Sequence, residues 1–457
     1  MFTLINQSDL LIYGAGNGTV ELGKFALGKR GVAPTAAPGK KPCGLKAAPI
    51  KTEMKSMKTM NKCAVAMAVL GTLMGHASAG EAEGIFHGYF RTGAGTNSSD
   101  GSQACYSLPG AGDYRLGNEC TTYGELAYTK ELAKAANGAS FVGTVRTVFQ
   151  DGVGVSDSDK SFKLGEVFME AKNLDFLNGA ILWLGKRFYD RPDIHIIDFK
   201  YIHGDGIGAG VQSIPAGPGK FSYALMRNNN DRDSDASRHI FSYEELPVNT
   251  DGTLKFDLTL IKADSSVANT HNGWSLSAVH KQNKVLGGDN VFGVQYGVGP
   301  GIKIGGTDSL AFASDVTRTR VFDTLYWQVT PEFGGSAVVL VQKDKSDAGS
   351  QTWTSAGVRP VYALTDNFKL QLEVGHDRIT SRSGGAAQQL SKVTFAPTVA
   401  LAKNFWSRPE LRLFLTYAKW NKAAQQAAAA GSALSSTGVF GGKTEGASAG
   451  VQVETWF

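Results

Sequence analysis

The sequence predicts an all-β fold, a transmembrane antiparallel β-barrel, on two observations. After residue 80, apolar and polar residues alternate: in the segment PELRLFLTYAKW, Leu411 and Leu413 share a face opposite Arg412, as the two-residue period of a strand requires. Many such segments also end in aromatic residues, and the last one ends on Phe457. Aromatic girdles of this kind border the lipid-facing band of outer-membrane barrels.

A soluble β-sandwich or barrel is the alternative, because it also alternates, with its apolar face turned inward. The mean hydropathy of −0.15 is not that of a helical membrane protein. Apart from one short leader-like run, no apolar stretch approaches the roughly 18 residues that a spanning helix needs. A closed barrel is the other structure that satisfies its own backbone groups in lipid.

The segment GIFHGYFRTGAG begins the alternating region. One face of this strand holds His87, Tyr89 and Arg91, and the opposite face holds Phe86 and Phe90. In a barrel whose outer wall meets lipid, we expect the two phenylalanines to face the membrane. Tyr89 and Arg91 then face the channel.

Residues 54–79 have the pattern of a secretory signal peptide. Lys55, Lys58 and Lys62 precede an apolar run from Cys63 to Met74, and the segment closes on the small residues of ASA. A short buried helix is the alternative. We expect the mature chain to begin near residue 80 and to be exported.

Residues 1–53 form an upstream extension rich in Gly, Ala, Pro and Lys. We interpret Met54, Met57 or Met60 as the true start, so that this extension is not part of the mature protein. The alternative is a genuine extension of a long signal. The predicted barrel domain is therefore residues 80–457.

Removing the leader changes both the charge and the cysteine count. Ten of the 46 basic and three of the 41 acidic residues precede residue 80, which leaves 36 basic against 38 acidic residues. The net charge of +5 thus becomes −2, so the sequence offers no support for nucleic-acid binding. Of the four cysteines, Cys105 and Cys120 remain, and in an exported chain they suggest one disulfide. No second ligand pair supports a metal site.

The sequence offers little for an enzyme. Its histidines are scattered, and no acid-base-nucleophile spacing stands out, so we predict no catalytic residue and no cofactor. The segment GDGIGAG, residues 204–210, lacks the lysine of a phosphate-binding loop, and we interpret it as a tight turn. Residues 421–446 are low in complexity. We interpret them as a floppy external loop, with at most a turn or two of helix in the alanine run.

Three inward-facing pairs set an aromatic ring two residues from a charge: Tyr89 with Arg91, Tyr123 with Glu125, and Trp456 with Glu454. Sugars suit such pairs, because their C–H faces stack on rings and their hydroxyls bond to ionic groups. A file of these pairs can guide a sugar without holding it at one site. Any single ring, taken alone, is better explained as a girdle residue or as loop packing.

Five segments in order resemble the maltoporin family of outer-membrane sugar porins: FHGYFRTGAG, YRLGNECTTYGEL, GKRFYDRPDIHIIDF, FWSRPELRLFLTYAKWN and VQVETWF. The resemblance covers Phe86 to Phe457 and is loose through residues 215–350. It implies an eighteen-stranded barrel in the bacterial outer membrane that assembles as a homotrimer. Maltodextrins would cross it by facilitated diffusion.

The resemblance also assigns residues to the lumen. On the family's aromatic slide it places Tyr89, Tyr123, Trp406 and Trp456, with Phe292 as a further ring. On the ionic track beside that slide it places Arg91, Arg115, Glu125, Arg191, Asp193 and Asp198, and it places Cys105 and Cys120 on the first-loop disulfide.

Three departures from the family concern the substrate. The second loop, QDGVGVSDSDKSF, has no tryptophan, and a track arginine is replaced near Lys163 or Gly165. At the constriction, Lys200 stands where the family has a tyrosine. Lys200 either pairs with Asp198 or biases the pore toward anions or acidic sugars.

Three hypotheses follow. The leading one is a passive sugar porin. The second is a general or anion-biased diffusion porin with little glucan binding, suggested by Lys200 and by the missing tryptophan. The third, an outer-membrane enzyme or adhesin, would need a catalytic cluster or a structured external domain, and the sequence shows neither.

Overall fold

The computed structural model describes residues 83–152, 161–227 and 236–457. The predicted upstream extension (1–53) and signal peptide (54–79) lie outside these residues, and so does the predicted mature start at residue 80. None of the helices in the described ranges is long and apolar enough to cross a membrane.

Strands make up most of the described chain. In chain order they are β1 (Ile85–Asn97), β2 (Thr121–Lys134), β3 (Ser140–Gly152), β4 (Ser161–Lys172), β5 (Ile181–Arg187), β6 (Asp193–Ile194), β7 (Phe199–Lys200), β8 (Gly206–Ala216), β9 (Gly219–Arg227), β10 (Ala236–Asn249), β11 (Gly252–Ala263), β12 (Gly273–Val285), β13 (Gly288–Val298), β14 (Thr317–Gln328), β15 (Phe333–Ser346), β16 (Gly349–Ala363), β17 (Phe368–Ile379), β18 (Gln388–Ala400), β19 (Glu410–Trp420) and β20 (Glu445–Trp456). One helix, α1 (Lys422–Ala427), lies between β19 and β20.

Eighteen of these strands close into one antiparallel barrel. Each pairs with the next barrel strand in the chain, and β5 pairs with β8 because β6 and β7 form a separate two-stranded hairpin. Pairing of β20 with β1 completes the ring, with Trp456 directly opposite Tyr89. The predicted fold class and strand number are confirmed.

Alternation places an apolar face outside and a polar face inside. On β19, Leu411, Leu413 and Leu415 are 58%, 53% and 56% exposed, whereas Arg412 and Thr416 are buried. The buried face is the inner one, because its residues contact loops that fold into the barrel. The apolar wall is the surface that a bilayer would cover.

The two rims of the barrel differ. At the short-turn rim most hairpins have connections of a few residues, such as 217–218, 250–251 and 286–287. At the long-loop rim the connections include 98–120, 188–205, 299–316 and 421–444. One connection at the short-turn rim, residues 401–409, is longer than its neighbours.

Two of the long loops fold inward, and we call residues 98–120 the first inward loop and residues 188–205 the second. They bond to each other, since the amide of Asp113 donates to the carbonyl of Ile197 at 2.7 Å. The second loop is also bonded to the wall, where the Gln295 side chain donates to the carbonyl of Tyr201 at 2.9 Å.

Apolar residues of the inward loops fill one sector of the barrel interior. Tyr106 and Leu108 of the first loop and Ile196 and Ile202 of the second are nearly fully buried in one cluster with Trp353 of the wall. Burial of each such side chain contributes roughly 1.5–3 kcal/mol to the stability of the fold. The disulfide Cys105–Cys120 closes the first inward loop, which confirms the predicted pairing.

Two sequence interpretations of local structure are wrong. GDGIGAG is not a tight turn, because residues 206–210 lie in β8. Its inward-facing glycines make room for neighbours: a Cβ on Gly210 would lie 2.7 Å from Nε1 of Trp183, and one on Gly208 would lie 2.9 Å from Sδ of Met226.

The low-complexity loop 421–444 is folded rather than floppy. The side chain of Asn421 caps α1 by accepting from the amide of Ala424 at 2.9 Å. Phe440 and Leu434 are buried, and the Phe440 ring lies 5.9 Å from those of Trp420 and Tyr106. Apolar residues spread thinly through an alanine-rich loop are enough to anchor it against the barrel interior.

Candidate functional site

Aromatic rings follow one another along the inner wall. The centroid of Tyr326 lies 5.4 Å from that of Trp406, which lies 6.1 Å from that of Trp456. Trp456 and Tyr89 are opposite each other on β20 and β1, and the Tyr89 and Tyr123 centroids are 5.9 Å apart. We call these five residues the aromatic file.

Strands and one turn position the rings of this file. Tyr89 and Tyr123 lie on the inner faces of β1 and β2, as the two-residue period predicts. Trp406 comes from the long connection 401–409 at the short-turn rim. The structure thus brings together four of the five predicted aromatic residues.

Phe292 is the exception, and the prediction of an inward ring there is wrong. Phe292, Val294 and Tyr296 are 40%, 42% and 37% exposed on one face of β13, while Gln295 on the other is 1% exposed. Gln295 bonds to the second inward loop, so its face is the inner one. The two-residue period then puts Phe292 on the outer wall.

Tyr326 of β14 is the fifth ring of the aromatic file, and sequence reasoning missed it. It shares the inner face with Phe322 and Arg320, which the structure buries at 1% and 2% exposure. Its segment, TLYWQ, sets two aromatic residues on opposite faces. The sequence signal was therefore present but did not say which ring faced inward.

An ionic cluster borders the aromatic file at Tyr89. Nη2 of Arg115 donates to the Tyr89 hydroxyl at 2.7 Å and to Oε1 of Glu454 at 2.8 Å, and Nε donates to Glu119 at 2.9 Å. Arg91 donates to Glu119 as well. Two predicted arginines thus share one acid, Glu119, that sequence reasoning did not select although it lies within the motif NECTTYGEL.

A second ionic group lies beside Tyr123. Glu125 accepts a hydrogen bond from the Tyr123 hydroxyl and from Nη1 of Arg146 at 2.7 Å. Nη2 of Arg191 lies 3.8 Å from the same carboxylate, and its guanidinium stacks 3.7 Å from the Phe188 ring centroid. Arg146 was missed, although it occupies an inward position on β3 opposite Ala127.

The second inward loop carries the remaining predicted polar residues. Asp193 and Lys200 face each other across the hairpin of β6 and β7. Asp198 does not pair with Lys200, as one hypothesis expected, but lies 3.5 Å from Nη1 of Arg91. Among the described residues, Nζ of Lys200 has no hydrogen-bond partner. Burial lowers the pKa of Lys200 to about 8.

His195, at the start of a 3₁₀ turn in the second inward loop, contacts the aromatic file directly. Its ring centroid lies 5.1 Å from that of Trp406 and 6.1 Å from that of Trp456. Burial and the nearby Arg115 hold the pKa of His195 well below its usual value. The neutral imidazole can therefore accept from Arg115, whose Nη1 lies 3.0 Å from Nδ1. Sequence reasoning missed His195 among the scattered histidines.

Across the three described ranges, no group of three His, Cys, Asp or Glu side chains is placed to hold a metal ion. The charged residues of the inner wall are bonded largely to one another. The arrangement is suited to hold solutes by stacking and by hydrogen bonds.

A closed eighteen-stranded antiparallel barrel, apolar outside and lined with polar and aromatic side chains inside, defines the protein as an outer-membrane porin, a passive channel rather than an enzyme. The family model for LamB porin matches residues 85–457, and the chain belongs to that family.

Solved porins resemble the chain in outline. An anion-selective porin from Comamonas acidovorans is 11% identical, with 82% of this chain and 99% of that chain covered and a TM-score of 0.44. Salmonella typhi OmpF, solved in complex with daunomycin, is 9% identical, with 81% and 97% covered and a TM-score of 0.46.

Proposed function

We propose that the channel passes maltodextrins or related oligosaccharides by facilitated diffusion along the aromatic file. The observation that carries the proposal is the succession of rings in the file. Three pairs of neighbouring ring centroids lie 5.4 to 6.1 Å apart, and the strand pairing of Trp456 with Tyr89 joins the two parts of the file. A sugar chain leaving one ring can contact the next before it loses the first. The apolar faces of its pyranose rings would stack on these side chains.

The ionic groups beside the file would bond the sugar hydroxyls. We assign this role to Arg91, Arg115, Glu125, Arg191 and Asp198, with Asp193 nearby. Since Arg115 and Glu454 neutralise each other at 2.8 Å, they can offer hydrogen bonds without a net charge that traps a solute. Conduction needs binding that is weak enough to release the solute.

Ion current through the purified protein in a planar bilayer, titrated with maltohexaose, tests the proposal. We expect saturable block, and we expect Trp406→Ala and Trp456→Ala each to raise the half-blocking concentration about ten-fold, the order expected for one ring contact. Phe292→Ala is the matched control, because it removes an aromatic ring from the outer wall. Absence of block in the wild type would overturn the proposal.

A second candidate, a general or anion-biased pore, is favoured by Lys200 in the second inward loop, whose ammonium has no hydrogen-bond partner among the described residues. For this candidate, maltohexaose does not block the current, and the reversal potential across a salt gradient shows anion preference. Lys200→Met would remove that preference. If the preference is unchanged in Lys200→Met, Lys200 does not set ion selectivity.

We further propose that residues 54–79 are a cleaved signal peptide, that the upstream segment 1–53 is absent from the mature protein, and that the porin is a homotrimer. The family resemblance supports the trimer, and the small residues before Gly80 support the cleavage site. N-terminal sequencing and cross-linking of the purified porin test these points. The porin would use no cofactor and no nucleic-acid partner.

A further inference from the structure

The outer wall carries a group of cations close to the long-loop rim. Lys343 and Lys345 on β15 and Arg378 on β17 are exposed. Each lies on the same face as the apolar wall, above Val341 on β15 and Val374 on β17, which are 44% and 40% exposed. We call Lys343, Lys345 and Arg378 the rim cation patch.

Strand register shows that the patch is compact. On the intervening strand β16, Lys343 is opposite Thr352 and Arg378 is opposite Thr354. Two strand spacings and a two-residue offset separate the Lys343 and Arg378 Cα atoms by about 12 Å. Long side chains at that separation can reach one anionic group between them.

Acidic residues near the patch in sequence point away from it. Asp344 faces the interior, where Arg318 donates to it at 2.6 Å. Asp377 also faces the interior and accepts from Nε1 of Trp353 at 2.9 Å. In the part of the chain that the structure describes, no carboxylate oxygen lies within 4.0 Å of a patch nitrogen.

At the opposite rim, by contrast, several cations lie beside acidic residues of the protein. There, Lys220 lies 2.7 Å from Glu245, Lys284 lies 2.9 Å from Asp251, and Lys403 lies 3.0 Å from Glu332. These three cations of the short-turn rim are therefore paired with acidic residues of the protein itself, whereas the cations of the rim cation patch remain available to an external anion. Because long loops of outer-membrane barrels face the exterior, the patch lies at the level of the outer-leaflet headgroups.

We propose that the rim cation patch binds a phosphorylated headgroup of an outer-leaflet glycolipid. Phosphate oxygens accept strong charge-assisted hydrogen bonds from lysine and arginine. The hydroxyls of Thr352 and Thr354 lie on the same face between the cations, since their neighbours Trp353 and Ser355 are buried inside. The acyl chains of the lipid would cover the apolar wall below.

Native mass spectrometry of the detergent-solubilised porin with bisphosphorylated lipid A tests this inference. The test variant is Lys343→Gln/Lys345→Gln/Arg378→Gln. The matched control, Lys220→Gln/Lys284→Gln/Lys403→Gln, removes three cations from the other rim. Lys343→Arg/Lys345→Arg/Arg378→Lys keeps the charge, and heat-modifiable gel mobility reports whether each barrel is folded.

We expect the test variant to lose lipid A affinity by at least about ten-fold, given the attraction of each cation to an anionic headgroup. The rim control and the charge-keeping variant should bind as the wild type does, and dephosphorylated lipid A should bind weakly to all. Equal binding by the folded test variant would overturn the inference. A change in oligomeric state without a change in lipid binding would also overturn it, by assigning the patch to a subunit interface.

Discussion

The hydroxyl of Tyr89 lies 2.7 Å from Nη2 of Arg115 and 3.0 Å from Oε1 of Glu454. The aromatic file and the ionic cluster are therefore joined at one side chain, whose ring faces the lumen and whose oxygen belongs to the charge network. These hydrogen bonds fix the Tyr89 hydroxyl, and with it the ring whose centroid lies 5.9 Å from that of Tyr123.

Substitution Tyr89→Phe separates the two roles of this residue. Arg115 keeps Glu454 and Glu119 as acceptors, so we expect a loss of about 1 kcal/mol in stability and little change in maltohexaose block. Tyr89→Ala removes the ring as well, and we expect it to raise the half-blocking concentration about ten-fold. Current titration of both variants measures the difference. Equal effects would show that the ring makes no contact of its own with the sugar.

Substitution Tyr326→Ala tests whether Tyr326 belongs to the aromatic file. The Tyr326 ring lies 5.6 Å from Phe405 and 5.4 Å from Trp406, so its loss shortens the file at one end. We expect a several-fold weaker block by long maltodextrins and a smaller effect on short ones. A Tyr326→Ala channel that is blocked as the wild type is would remove this residue from the file.

Glu454→Gln should destabilise the barrel. Glu454 is fully buried and bonds to Arg115, Arg408 and Arg412, so losing its charge leaves buried guanidinium groups uncompensated. We expect a loss of about 3–5 kcal/mol, measured as a fall in the denaturant midpoint of the detergent-solubilised protein.

Glu445→Gln, on the same strand, is the control for this loss. Glu445 is exposed and accepts from the Tyr417 hydroxyl at 2.8 Å, and such surface interactions contribute less than about 1 kcal/mol. If the denaturant midpoint of Glu454→Gln is no lower than that of Glu445→Gln, solvent compensates the charge of the buried guanidinium groups.

The charge on Lys200 should make ion selectivity depend on pH. Burial lowers the pKa of Lys200 to about 8, so the ammonium is present below pH 8 and is lost as the pH rises through 8. We expect any anion preference to decline between about pH 7 and 9. Reversal potentials across a KCl gradient measure it, with Lys200→Met as a pH-independent control. A wild-type profile parallel to that of Lys200→Met would contradict the prediction.

The stability of the second inward loop should depend on pH, because His195 is neutral in the folded state. The folded-state pKa of His195 lies well below the ordinary value of 6.5, so protonation favours the open loop, and stability is lost as the pH falls below 6.5. We expect the protection factors of the amides in residues 188–205, which are corrected for the intrinsic pH dependence of exchange, to fall between pH 7 and 5. His195→Gln should abolish that pH dependence. Protection factors that are equal at both pH values in the wild type would refute the link.

Much of the fold follows from the sequence because alternation is local. Successive side chains of a strand point to opposite faces, so the shared face of Tyr89 and Arg91, and the opposite face of Phe90, can be derived without coordinates. The disulfide was predicted too, because only two cysteines remain after the signal peptide and the chain is expected to be exported. These inferences need only neighbours in the chain.

The tertiary structure decided what alternation leaves open. Periodicity pairs Phe292 with Val294, but only strand register and the inward loops show that their face meets the outside. The adjacency of Tyr326 and Trp406 joins distant segments, and no local pattern encodes it. Within the part of the chain that the structure describes, Lys200 has no hydrogen-bond partner, because closure of the barrel brings Asp198 to Arg91 of β1 instead. Contacts between residues far apart in the chain depend on how the barrel closes. They therefore cannot be predicted from the pattern of single strands.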